Sequence, residues 1–335
     1  MNSDLSKIFE LTKSETRALF YLEDWLVRLD IASTEDDSVA DRKTKWIQKW
    51  EENLFKKTFF GMIGEDPPNS EVVAIKRVQT INDPTKKLIV LCESIAFAPY
   101  FNIQFREGSH LQETIDDPNR KRWRENVIRI ASKVGIEKSV LENWESHYSD
   151  ALRGIGGRSD LWKKATWVAL ASVAFAVTGG VAAPVIGGVV GGLMGLSGAA
   201  ATSAGLAFLG GGAIAAGGLG IAGGTIAIIG GGAILGGVGS LTASRFFFLQ
   251  HKVVLSQLAK LEASLITIFD SQERFPSILN EIVDSQLTVL RNLNQEIESK
   301  NLELEEKKRL EKTALYYKES IKRLNDLKLK MSGLS

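Results

Sequence analysis

Few residues in this chain of 335 have the type and spacing of a reactive site. The string GLGIAG, Gly218 to Gly223, has the spacing of a dinucleotide-binding turn, yet no acid follows at the distance a ribose would need. A Walker phosphate loop requires a lysine, and the glycine-rich run that holds this string has none. No Gly-x-Ser-x-Gly nucleophile elbow occurs. The three histidines, His110, His147 and His251, are scattered through charged flanks, where a lone imidazole reads as structural. Cys92 is the single cysteine, so no intrachain disulfide can form, which fits a reducing compartment. These residues predict no catalytic group, no cofactor and no metal, and hence a protein that is not an enzyme.

The dominant feature is a run from Ala165 to Ser244 without one Asp, Glu, Lys, Arg or His, which contains 23 of the 31 glycines. A bilayer crossing needs about 20 apolar residues, so the run is long enough for two or four. Trp162, Lys163, Lys164 and Trp167 at its first edge, and Arg245, Phe246, Phe247 and Phe248 at its second, have the types that favour a membrane interface. Basic residues at both ends predict an even number of crossings with both flanks cytoplasmic. Small residues let helices approach closely in lipid. Gly187, Gly191 and Gly195 recur every four residues, with Gly188 and Gly192 beside them. Gly220 with Gly224, and Gly232 with Gly236, repeat the spacing, and GGGAI at 210–214 recurs at 230–234. The run predicts a glycine-zipper membrane region over 156–249. Its residues between the glycines are Ala, Val, Ile and Leu, unlike a flexible linker.

The flanks read as helical and the fold as all-α. Over 1–155, Ala18, Leu19, Leu22, Leu26 and Leu29 share a helix face from about Ser14, and Trp46, Trp50 and Leu54 share another from about Asp41. The segment 61–70, with Asp66, Pro67 and Pro68, is a break. Lys86 to Ala98 is apolar nearly all round and predicts a central buried helix. Pro118 suits the first turn of a helix that Gly135 ends, and Glu137 to Leu152 forms the next. The N-terminus shows no apolar core of secretory type.

Over 250–335, Val254, Leu258, Leu261, Leu265 and Ile268 form a helix seam. Beyond Pro276, Leu279, Val283, Leu290, Leu293, Ile297 and Leu304 fit one heptad frame, with Gln286 and Lys300 as polar members. Leu310, Ala314, Tyr317, Ile321, Leu324 and Met331 fit a second, with Lys328. The frames shift near 305–308, at a stutter or the bend of an antiparallel pair, and the region predicts coiled-coil helices. Acids and bases are interspersed, which argues against nucleic-acid binding.

The helix LIVLCESIAFA, the segment FREGSHLQETIDDPNRK and the stretch RWRENVIRIASKVGI resemble the helical domain of the TerB-like tellurite-resistance family. That resemblance implies a divalent-metal site, with Glu107, Asp116, Asp117 and Glu125 at the matching positions, although the family's Asp-Gly is here Glu107-Gly108. The join from KVGIEKSVLENWESHYSDALRG into WVALASVAFAVTGGVAAPVIGGVVGGLMG is similar to that of the transmembrane-and-coiled-coil family of α/β-hydrolase-domain proteins, but no hydrolase domain follows. Two functions are expected on these grounds. The first is an integral membrane protein, pore-forming or toxin-like, that permeabilises a lipid bilayer as a homo-oligomer. The second is a membrane-anchored scaffold that presents its helices to a coiled-coil partner.

Overall fold

A computed structural model of the protein describes residues 11–50, 70–97, 99–100, 118–157, 251–269, 273, 275–299 and 304–331. The protein is all-helical, with no strand among the described residues. Among the described residues the helices are α1 (Lys13–Ala32), α2 (Asp37–Trp50), α3 (Glu71–Gln79), α4 (Pro84–Ala96), α5 (Arg120–Lys133), α6 (Lys138–Gly156), α7 (His251–Phe269), α8 (Phe275–Ser299) and α9 (Leu304–Met331). The described residues up to Glu142 form one compact unit and those from Asn143 onward another.

Among the described residues, no helix is long and apolar enough to cross a membrane. The long helices α7, α8 and α9 have charged residues within them, Lys260 and Glu262 in the middle of α7 for example. This finding overturns the reading of the chain as a pore-forming integral membrane protein with transmembrane helices and cytoplasmic flanks, and that reading is not kept. The run from 165 to 244 that suggested it lies outside the described residues.

In the N-terminal unit, α1 is the helix on which α2, α3, α4 and α5 all pack. Its start is a capping box at Thr12, two residues upstream of the expected Ser14. The Thr12 hydroxyl accepts from Glu15 N–H, and Glu15 returns a bond to Thr12 N–H at 2.7 Å. Its buried face includes Leu19, Leu22 and Leu26, as the periodicity predicts. Helix α4 starts on an Asp83 cap with Pro84 in its first turn, and ten of its residues, from Lys86 and Leu88 to Ala96, are buried. Pro118 does not open α5 as expected. Asn119 is the cap, its side chain accepting from Arg122 N–H, and Pro118 lies before it. Gly135 does end α5. It sits at φ +80°, and Ile136 N–H bonds back to Ala131 C=O at 2.9 Å, the closure that a left-handed residue permits. Glu71 on α3 joins this end of the unit, accepting from Arg129 and from Lys133 at 2.8 Å.

In the C-terminal unit, α9 is central and packs on α7 and α8. Lys328 Nζ donates to Asn280 Oδ1 at 2.6 Å, joining the last turns of α9 to the first turns of α8. The pair is therefore antiparallel, and 305–308, where the frames shift in the sequence, lies in the first turns of α9. The second frame is buried at Leu310, Ala314, Tyr317, Ile321 and Leu324, while Met331 is exposed. In the first frame Leu279 and Leu293 are buried, but Leu304 is 67% exposed and belongs to α9. Gln286 has no exposure at all, and neither its Oε1 nor its Nε2 has a hydrogen-bond partner.

Two measurements follow from this packing. A buried amide without partners costs about 1–3 kcal/mol, so Gln286→Leu should raise stability toward chemical denaturation by an amount of that order. A fall in stability would show that the amide is satisfied. The Arg129 and Lys133 hydrogen bonds hold the Glu71 carboxyl below its usual value of 4.5. A depressed carboxyl stabilises the fold above its unfolded pKa and loses that contribution as pH falls through its folded one. Wild type should therefore exceed Glu71→Gln in stability by a constant margin at neutral pH, and the margin should close only below the usual glutamate value. A margin that persists at the acid end would contradict the ion pair.

Candidate functional site

The C-terminal unit holds a cleft of about 210 Å³ lined by His147, Asp150, Glu262, Ile266, Arg323, Asp326, Leu327 and Lys330. Three helices build it. Helices α6 and α7 run antiparallel, since Trp144 Nε1 donates to Ser264 Oγ at 3.0 Å while Tyr148 and Ser256 hydroxyls bond at 2.7 Å. Trp144 and Tyr148, one turn apart, stack with ring centroids 5.1 Å apart. Helix α9 supplies Arg323, whose place is set by the heptad frame that buries its neighbour Leu324.

The guanidinium of Arg323 is the organising group. Its Nε lies 3.0 Å from both oxygens of Glu262, and its Nη2 lies 2.6 Å from Oε1 of the same carboxylate. Nη2 also donates to Asp150 Oδ2 at 2.7 Å. Glu262 is only 4% exposed, whereas Asp150 is well exposed at 62% on its side chain. The Glu262 hydrogen bonds raise the Arg323 pKa above its ordinary value, so the cation is permanent. Gly154 on α6 makes room for it: a Cβ there would lie 2.6 Å from Arg323 Cζ. A glycine inside a helix costs about 1 kcal/mol relative to alanine, and here the close approach explains its presence. Arg323, Glu262 and Asp150 are thus committed to one another. The arrangement holds three helices together.

The N-terminal unit has a second buried polar cluster around Asp30, at the end of α1. Its Oδ2 accepts from Lys43 Nζ and from Tyr100 OH, both at 2.7 Å, and its Oδ1 accepts from Asn119 N–H at 3.2 Å. Lys43 also donates to Thr34 Oγ1 and lies 5.0 Å from the centroid of the Tyr100 ring. Trp46 meets that ring edge-on at 5.3 Å. Tyr100 sits at φ +69°, a conformation that costs a non-glycine residue about 1 kcal/mol or more, and the contacts on its ring and hydroxyl hold it there. Burial first, and then the Asp30 charge, push its phenol above the usual tyrosine range. The carboxylate thereby joins α1, α2, the exit of α4 and the cap of α5.

Of the residues singled out from sequence, Gly187, Gly188, Gly191, Gly192, Gly195, Gly220, Gly224, Gly232 and Gly236 lie outside the described residues, as do Trp162, Lys163, Lys164, Trp167, Arg245, Phe246, Phe247 and Phe248. His110, Glu107, Asp116 and Asp117 lie outside them too, and Glu125 is exposed on α5. Among the described residues no three His, Cys, Asp or Glu side chains gather as a metal site would require. His147 lines the cleft. Neither Arg323 with Glu262 nor Asp30 with Lys43 was marked by motif, and Gly154 inside α6 was the one available sign of a close approach. No family model, no curated protein and no solved structure matches this chain.

Removing one partner of a buried ion pair strands the other, at about 3–5 kcal/mol, whereas removing both is close to neutral. Arg323→Met should therefore destabilise the protein strongly, and Glu262→Leu in the same chain should recover most of the loss. Additive losses in a urea-unfolding cycle would show that the pair contributes by packing alone.

Proposed function

We propose that this chain is a helical scaffold, with no catalytic role, that assembles through its C-terminal helices in the manner of a coiled-coil protein. The observation that carries the reading is the outward line of α9. Leu304, Leu315 and Leu329 are 67%, 50% and 49% exposed. Their spacings of eleven and fourteen residues correspond to three and four helical turns, so they share one edge of α9, opposite the buried Leu310, Tyr317 and Leu324. Scattered exposed leucines are ordinary on a protein surface. Three in line along a helix, on the side away from its core, are what a second helix would cover. The Arg323 ion pairs support the same reading, because they give that helix a fixed seat on α6 and α7.

The test is the size of the species that contains the protein in a native cell extract, compared with its 36.7 kDa chain mass. Wild type should run well above that mass, and Leu315→Lys with Leu329→Lys should bring it down to the monomer without lowering the unfolding midpoint. Wild type running as a monomer would contradict the scaffold.

A further inference from the structure

The exposed faces of α8 and α9 carry opposite charge, and we infer from this that the partner of α9 is a second copy of this chain, docked through its α8. The inference rests on the scaffold reading and names its partner. Helix α9 contains nine basic and five acidic residues, and α8 contains four acidic residues and one basic. Position sharpens the contrast. Lys308, Lys318 and Lys322 are exposed along the outward edge of α9 with Leu315, where Glu311 and Asp326 are the exposed acids, and no ion pair of Lys318 or Lys322 occurs among the described residues. On α8, the residues turned away from the buried Leu279, Ile282, Gln286 and Leu293 include Asp284, Leu287 and Glu298, with Arg291 the single base. Leu287 is 37% exposed in the middle of this acidic face. A lysine-flanked leucine line and an acid-flanked leucine are complementary in both charge and apolar content.

Geometry fixes the kind of assembly. The outward edge of α9 faces away from α7 and α8, and the acidic face of α8 faces away from α9. The two surfaces lie on different sides of the hairpin, so one copy cannot engage both in a single two-fold contact. The contact is head to tail, α9 of one copy on α8 of the next, and such heterologous contacts propagate into rings or filaments.

The experiment uses the purified full-length chain and measures mass by light scattering across protein concentration. Wild type should give a ladder above the dimer that shrinks as ionic strength rises, because exposed charges are screened. Lys318→Glu with Lys322→Glu should weaken association by about tenfold or more, since like charges then face each other, and Asp284→Lys with Glu298→Lys should do the same. An equimolar mixture of the two variants should restore association, as each then presents the charge the other lacks. Unfolding midpoints confirm that both variants are folded, and Leu315→Lys provides a second route to the weakened state. A mixture no larger than its separate components would overturn the inference. So would purified wild type that remains monomeric, and if the native extract still shows a larger species, the scaffold reading survives with a different partner.

Discussion

A single guanidinium, that of Arg323, determines how the C-terminal helices are arranged. It lies against the carboxylate of Glu262, which is almost wholly removed from water, and reaches Asp150 on a third helix. A buried carboxylate without its cation would be costly, so α9 cannot leave α7 without a large loss. The flat, forked donor set matters as much as the charge, because a lysine could not hold both oxygens of one carboxylate in this way. Gly154 completes the arrangement by letting the α6 backbone come up to the guanidinium. Apolar packing of the α9 frame supplies affinity between the helices, and this ion pair sets their position.

The N-terminal unit uses the same device with the signs reversed. There the central group is a carboxylate, Asp30, and the donors come from Lys43, Tyr100 and the Asn119 backbone. The strained backbone of Tyr100 is part of that cluster and not an isolated irregularity, since its ring lies under Lys43 and against Trp46. Each unit therefore combines an apolar helix face, which any register of similar residues could satisfy, with one polar cluster that only a single arrangement satisfies.

This division explains what was legible in the sequence. The helix faces of α1 and α9 are legible because burial repeats every three or four residues, α4 because it is apolar nearly all round, and Gly135 because a left-handed helix end favours glycine. The start of α1 lies two residues before Ser14 because Thr12 has a glutamate three residues on and Ser14 does not. Pro118 lies outside α5 because Asn119 supplies the capping side chain. The polar clusters were not readable. Glu262 and Arg323 are 61 residues apart, and Asp30 and Tyr100 are 70 apart, so nothing in their local surroundings separates them from solvated surface charge. The membrane reading came from the uncharged run at 165–244, its glycine spacing and its basic and aromatic edges, and no described helix is long and apolar enough to cross a membrane.

If the outward edge of α9 is where this protein meets its own kind, that edge must become covered as copies associate. The most direct measurement is the alkylation rate of a thiol placed there by Leu315→Cys, since the chain's own Cys92 is buried. The account predicts a rate that is fast in dilute solution and falls as protein concentration rises, in step with the measured mass. A rate that stays fast while the mass grows would show that assembly uses another surface, and would contradict the account.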